Sequence, residues 1–179
     1  MTALVEHFGA LGVFLLMVPE SACIPVPSEL TLLFSGFAVH AGWMSFPLAV
    51  LGATAGNLTG SLVAYAIGAT RLTRSVPGAR AVLARWEGLI DRYGTRAVFI
   101  ARLLPLARTF VSLPAGARGV PLPAFTVLTT AGCALWAASL VLAGMLLGST
   151  WGAVDSILGR ALLALGLAVL LVSLLRRPR

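Results

Sequence analysis

Prolines cut two apolar stretches of this sequence into pieces too short to cross a bilayer. Spanning a hydrocarbon core of roughly 30 Å takes about 20 helical residues. Residues 8–18 are apolar, meet Pro19, Pro25 and Pro27, and resume as residues 30–39. Each arm reaches only about 15 Å at ~1.5 Å per residue. A second region repeats the pattern: residues 97–104 meet Pro105, and residues 109–113 run up to Pro114. Proline removes a helix hydrogen bond, and at membrane depth that is tolerated only where protein or water satisfies the freed backbone. Regions 8–40 and 97–116 therefore read as re-entrant helical hairpins. Three other stretches, 46–68, 124–148 and 157–175, have full span length and read as transmembrane helices.

Composition fits that reading. Of 179 residues, 59% are hydrophobic and 11% charged, too few polar groups to cover a soluble domain of this size. No stretch is polar enough for a second domain, so residues 1–179 form one all-α integral membrane domain. Residues 75–94 carry Val82, Leu83, Trp86, Leu89, Ile90 and Tyr93 at helical spacing, with the charges mostly off that stripe. This predicts an amphipathic helix on the membrane surface.

Every one of the thirteen basic residues is arginine, and against six acids they give +7. With that surface helix in the cytoplasm and each hairpin returning to the side it left, Arg71, Arg74, Arg80, Arg85, Arg92, Arg96, Arg118 and the tail Arg176, Arg177 and Arg179 all fall inside. That obeys the positive-inside rule and makes the C-terminus cytoplasmic. Trp43 and Trp151 then share the outer interface. The aromatic-studded basic face that nucleic-acid binding requires is absent, so no nucleic-acid partner is expected.

A shift of 76 residues lays the first span on the second. Pro47 meets Pro123, Thr54-Ala55-Gly56 meets Thr130-Ala131-Gly132, and Gly68 meets Gly144. The order of elements also repeats: broken hairpin, short loop, proline-initiated span. Units 8–70 and 96–148 enter from opposite sides in this topology, which makes them an inverted repeat of the kind secondary transporters use.

Four charges lie inside the hairpins. Glu20 and Glu29 flank the double proline of the first, and Arg102 and Arg108 flank Pro105 in the second. A charge at the bilayer centre costs roughly 2.5–3.5 kcal/mol, so these four must face one another, water or a ligand. Arginine's planar fork suits phosphate and keeps its charge. A desolvated carboxylate takes up a proton more readily than a solvated one. Arg102 and Arg108 are thus candidate phosphate ligands, and Glu20 and Glu29 candidate gating or proton-coupling groups. A structural ion-pair network pinning the hairpins together is the alternative.

Gly52, Gly56, Gly60 and Gly68 share one face of the first span, a pattern for close helix packing. Asn57 on the same span is a further substrate-site candidate, because an intramembrane amide needs a partner; Ser28, Ser112 and Arg118 are weaker ones. Cys23, Cys133, His7 and His40 are isolated and support neither a metal nor any other cofactor.

These motifs, from Glu20 through Pro27-Ser28-Glu29, Gly56-Asn57 with Gly60 and Tyr65, to Arg102, Pro105, Arg108 and Ser112-Leu113-Pro114-Ala115-Gly116, resemble the DedA family. The resemblance spans residues 20–148. It implies two opposed re-entrant hairpins, a bacterial inner-membrane location, and essential acids and arginines within the hairpins. It also implies transport of a phospholipid or polyprenyl phosphate, and the motif forms look closest to the undecaprenyl-phosphate subgroup. Ser21 stands where that subgroup usually has asparagine, and Leu106 where it often has glycine.

The expected function is therefore translocation of a lipid-phosphate headgroup, undecaprenyl phosphate above all, towards the cytoplasmic leaflet. A proton-coupled cation or drug exchanger, a general phospholipid scramblase and a structural scaffold are alternatives. An intramembrane enzyme would need a nucleophile beside a base or a metal cluster, and no histidine lies near the four charges. A homodimer is a candidate assembly.

Overall fold

The computed structural model describes residues 9–22, 28–70, 88, 90–104 and 107–148. The last span at 157–175, most of the surface helix at 75–94, and Pro25, Pro27, Pro105 and Leu106 lie outside the described residues. Among the described residues the helices run, in chain order, α1 (Ala10–Ser21), α2 (Ser28–His40), α3 (Phe46–Ala69), α4 (Arg96–Arg102), α5 (Ala107–Phe110), α6 (Ser112–Ala117) and α7 (Leu122–Leu146). No strand occurs among the described residues.

Helices α3 and α7, with 24 and 25 residues, are long and apolar enough to cross a membrane. Both begin on a proline in the first turn, where the missing N–H would have had no helical partner. Exposed Leu48, Leu51, Val127, Leu135 and Leu146 cover their outer faces, as a lipid-facing surface requires. The protein is an integral membrane protein.

Two prolines behave otherwise than expected. Pro19 does not end the first arm: α1 continues to Ser21, and the Ala22 N–H donates to the Val18 carbonyl at 3.0 Å. Proline in the last turn removes one bond without forbidding the turn itself. Pro114 likewise sits inside the first turn of α6, where no N–H is needed.

Glycine decides how the helices assemble. A side chain at Gly52, Gly56 or Gly60 would strike the carbonyls of Ala10, Phe14 and Val18. Both series advance by four residues together, so α1 lies parallel to α3 at backbone contact. On the other side, Gly36 and Gly144 bring α2 against α7, each meeting the other helix's backbone. Gly68 sits on the Leu113 carbonyl and Gly116 on the Tyr65 carbonyl, which docks α6 on α3. Helix α4 packs on α7, where Gly132 leaves room for the stem of Arg102.

Each long helix therefore carries one short helix from before α3 and one from after it. Tyr65 stacks on Phe125 at one end of the α3–α7 contact, with ring centroids 4.7 Å apart. Ala49 and Ala53 share a cluster with Ala137 and Val141 further along. Helices α3 and α7 thus run antiparallel.

The turns leading into the two long helices use the same device. Gly42 at φ 77° and Gly119 at φ 65° end α2 and α6 in the left-handed region. The following N–H, of Trp43 or Val120, returns to the carbonyl of Ala38 or Ala115 at 2.9 and 3.0 Å. This is the paired hydrogen-bond pattern of a glycine helix stop.

Backbone-contact glycines should tolerate no side chain. Gly68→Ala and Gly144→Ala are expected to destabilise the detergent-solubilised protein by roughly 1–3 kcal/mol each, as overpacking does, while Gly88→Ala, which meets nothing within 4 Å, leaves the melting temperature unchanged. Thermal melts of the three variants check this.

Candidate functional site

The ends of the short helices meet at the centre. Glu20 and Ser21 occupy the last turn of α1, and Ser28 and Glu29 the first turn of α2. Arg102 ends α4, and Arg108 lies in α5. Of the four charges, Glu20 and Glu29 lie beside Arg108, while the hydrogen bonds of Arg102 go to the Arg108 carbonyl, Ser112 and Thr129.

Arg108 is 5% exposed and Glu20 likewise 5%. The Arg108 Nη2 donates to Glu20 Oε1 at 2.7 Å and to the Ser28 hydroxyl, and Glu29 Oε1 lies 3.6 Å away. One guanidinium thus joins both arms of the first hairpin region. Glu29 is the outlying member, with 44% of its side chain exposed. The Arg108 guanidinium also lies over the Trp136 ring of α7, 5.0 Å from its centroid, an arrangement attractive for a cation.

Arg102, 2% exposed, is held differently. It donates through Nη1 to the Arg108 carbonyl, and through Nη2 to Ser112 Oγ at 2.7 Å and Thr129 Oγ1 at 3.5 Å. Its face lies 5.9 Å from the Phe125 ring. Arg102 therefore ties α5, α6 and α7 together and fixes the backbone that carries Arg108.

Asn57, 1% exposed, joins the site through Ser21, whose hydroxyl donates to Asn57 Oδ1 at 2.6 Å. Ser21 thus forms a polar link between α1 and α3. Glu20, Ser21, Asn57, Arg102, Arg108, Cys133 and Trp136 line a narrow pocket. Arg118 is not brought to this centre: it pairs with Asp91 at 2.8 Å, and both side chains are substantially exposed.

Trp136 and Thr129 escaped sequence reasoning. A signal for Trp136 existed, since the 76-residue shift sets it against Gly60, which touches Val18 and Ser21 at the end of α1. Among the described residues no group of three or more histidine, cysteine or acidic side chains could hold a metal ion.

The model of the VTT domain matches residues 26–146. The chain belongs to the VTT-domain family. The DedA-type motifs are those of this family. Among relatives, an "Alkaline phosphatase-like protein" of Lactococcus lactis subsp. lactis is 31% identical over 95% of this chain and 87% of its own length. "Undecaprenyl phosphate transporter A" of Staphylococcus aureus is 29% identical over 84% of this chain and 80% of its own. The Bacillus subtilis protein of the same name is 30% identical over 75% and 71%. No solved structure matches.

In this VTT-domain chain the buried ion pair sets a clear stability test. Removing one partner strands a charge, at a cost of about 3–5 kcal/mol, whereas replacing both is far milder. Arg108→Gln alone should sharply lower the melting temperature in detergent, and the Glu20→Gln, Arg108→Gln double variant should recover most of it. Arg118→Gln, at an exposed pair, should stay within about 0.5 kcal/mol of the parent.

Proposed function

We propose that the protein moves a lipid-phosphate headgroup across the bacterial cytoplasmic membrane, with Arg108 as its principal ligand. The observation that carries this reading is a permanently charged guanidinium, 5% exposed, whose buried counter-charge is a carboxylate on another helix. A phosphate can replace that carboxylate oxygen for oxygen. Since Glu20 already holds Arg108 at 2.7 Å, loading requires Glu20 to yield, and the Glu20–Arg108 pair is then the closed gate.

Undecaprenyl phosphate is the favoured cargo, because two relatives of about 30% identity bear it in their names. In this reading the lipid passes to the cytoplasmic leaflet, and the C-terminus lies in the cytoplasm. Glu29, half-exposed at 3.6 Å from Arg108, would receive the guanidinium or a proton as the gate opens. Arg102 supports Arg108, Asn57 and Ser28 line the path, and Arg118 serves at most a surface contact with headgroups.

Two opposed re-entrant hairpins in an inverted repeat are part of the proposal. Support comes from the antiparallel α3 and α7, from matching glycine stops at Gly42 and Gly119, and from Gly68 and Gly144 each receiving a short helix. Alternating access would then exchange the two halves around Arg108.

A cation or drug exchanger would use the same carboxylates, but the arginines crowded beside them favour an anion. The hydrolase-like name of one relative makes phosphatase activity worth measuring alongside transport. In proteoliposomes carrying undecaprenyl phosphate, the parent should shift the lipid between leaflets without releasing inorganic phosphate. Arg108→Ala should reduce that rate at least tenfold, and Arg118→Ala should leave it within about twofold, a partition expected of buried against exposed arginines. Equal rates for the parent and Arg108→Ala would sink the reading.

A further inference from the structure

Arg108 leaves part of its hydrogen-bonding edge unused. Its Nη2 serves Glu20, Ser28 and Glu29, while the buried Nε–H has no acceptor among the described residues. Nε and Nη2 lie side by side on one edge of a guanidinium, the edge that grips two oxygens of one oxyanion. Glu20, fixed on Nη2 alone, fills only half of it.

The ring stacked beneath Arg108 carries a second unmatched donor. Trp136 Nε1 is buried with no acceptor among the described residues, and indole nitrogen can only donate. Leaving such a group unpaired costs about 1–3 kcal/mol, more than a purely packing role warrants, since a phenylalanine would present the same face to the cation. Both donors belong to groups that line the same pocket. An oxyanion would satisfy these two donors, which a cation could not.

We propose that Trp136 is a ligand-binding residue for a lipid-borne phosphate: its ring face holds the Arg108 guanidinium in place, and its N–H donates to a phosphate oxygen once Glu20 is displaced. This deepens the transport reading and rests on it. Three donors, Arg108 Nε, Arg108 Nη2 and Trp136 Nε1, then converge on one tetrahedral group. A phosphate monoester presents three terminal oxygens around a tetrahedral centre, which suits donors arriving from different directions better than the planar pair of a carboxylate does.

The test is equilibrium binding to the full chain in detergent, with geranylgeranyl phosphate, geranylgeraniol and inorganic phosphate as probes. The parent should bind geranylgeranyl phosphate more tightly than either other probe. Trp136→Phe, which keeps the ring and drops the donor, should weaken geranylgeranyl phosphate roughly tenfold, the scale of one charge-assisted hydrogen bond, and leave geranylgeraniol unchanged. Should that variant not fold, benzothienylalanine in place of Trp136, an isostere with sulfur for the N–H, gives the same reading. Unchanged phosphate affinity in the donor-free protein overturns the role of Trp136 while leaving the transport reading standing. Equal weakening of phosphate and alcohol overturns it too, because that is the signature of packing. Inorganic phosphate bound as tightly as the lipid phosphate overturns the lipid-borne assignment. A parent that does not distinguish phosphate from alcohol overturns both this proposal and the transport reading.

Discussion

An arginine cannot discard its charge, and Arg108 is 5% exposed in a membrane protein. Everything near the centre follows from accommodating that one cation. Glu20 supplies the opposite charge, Ser28 and Glu29 add oxygen acceptors, and Trp136 offers an electron-rich face. These groups come from α1, α2 and α7, so the helices must bring their ends to one point. Arg102, bonded to the Arg108 carbonyl, fixes the backbone from beneath.

Such convergence is feasible only if the helices approach one another more closely than ordinary side chains permit. Glycine provides the approach. Gly52, Gly56 and Gly60 let α1 lie against α3, and Gly36 with Gly144 do the same for α2 and α7. Without a hydrophobic drive between helices in lipid, this intimate van der Waals contact is a main source of association. The glycines and the charges are therefore one design: the first set brings helix ends near enough for the second to pair.

Much of this was legible in the sequence, and the failures have definite causes. The long helices could be read because a run of apolar residues after Pro47 or Pro123 is a local signal. Glu20, Glu29, Arg102 and Arg108 could be read because uncompensated charge in lipid is costly wherever it lies. Pro19 misled because the rule that proline ends a helix concerns the helix interior, and Pro19 sits in a last turn. The division between Arg102 and Arg108 was invisible, since Ser112, Thr129 and the Arg108 carbonyl are tertiary partners. Arg118 looked like its neighbours in sequence, yet it pairs with Asp91 at the surface. Trp136 was passed over because a tryptophan in an apolar run reads as packing until its N–H is seen to lack a partner.

The tightness of the central pocket matters for the cell as well as for the ligand. A bacterium stores work as a voltage, and each elementary charge leaking through 100 mV dissipates about 2.3 kcal/mol. Polar groups buried as deeply as Glu20, Asn57 and Arg108 could string water into a wire for protons. Groups already bonded to one another, as Arg108 is to Glu20 and Ser28 and as Ser21 is to Asn57, leave fewer free sites along which such a wire could form.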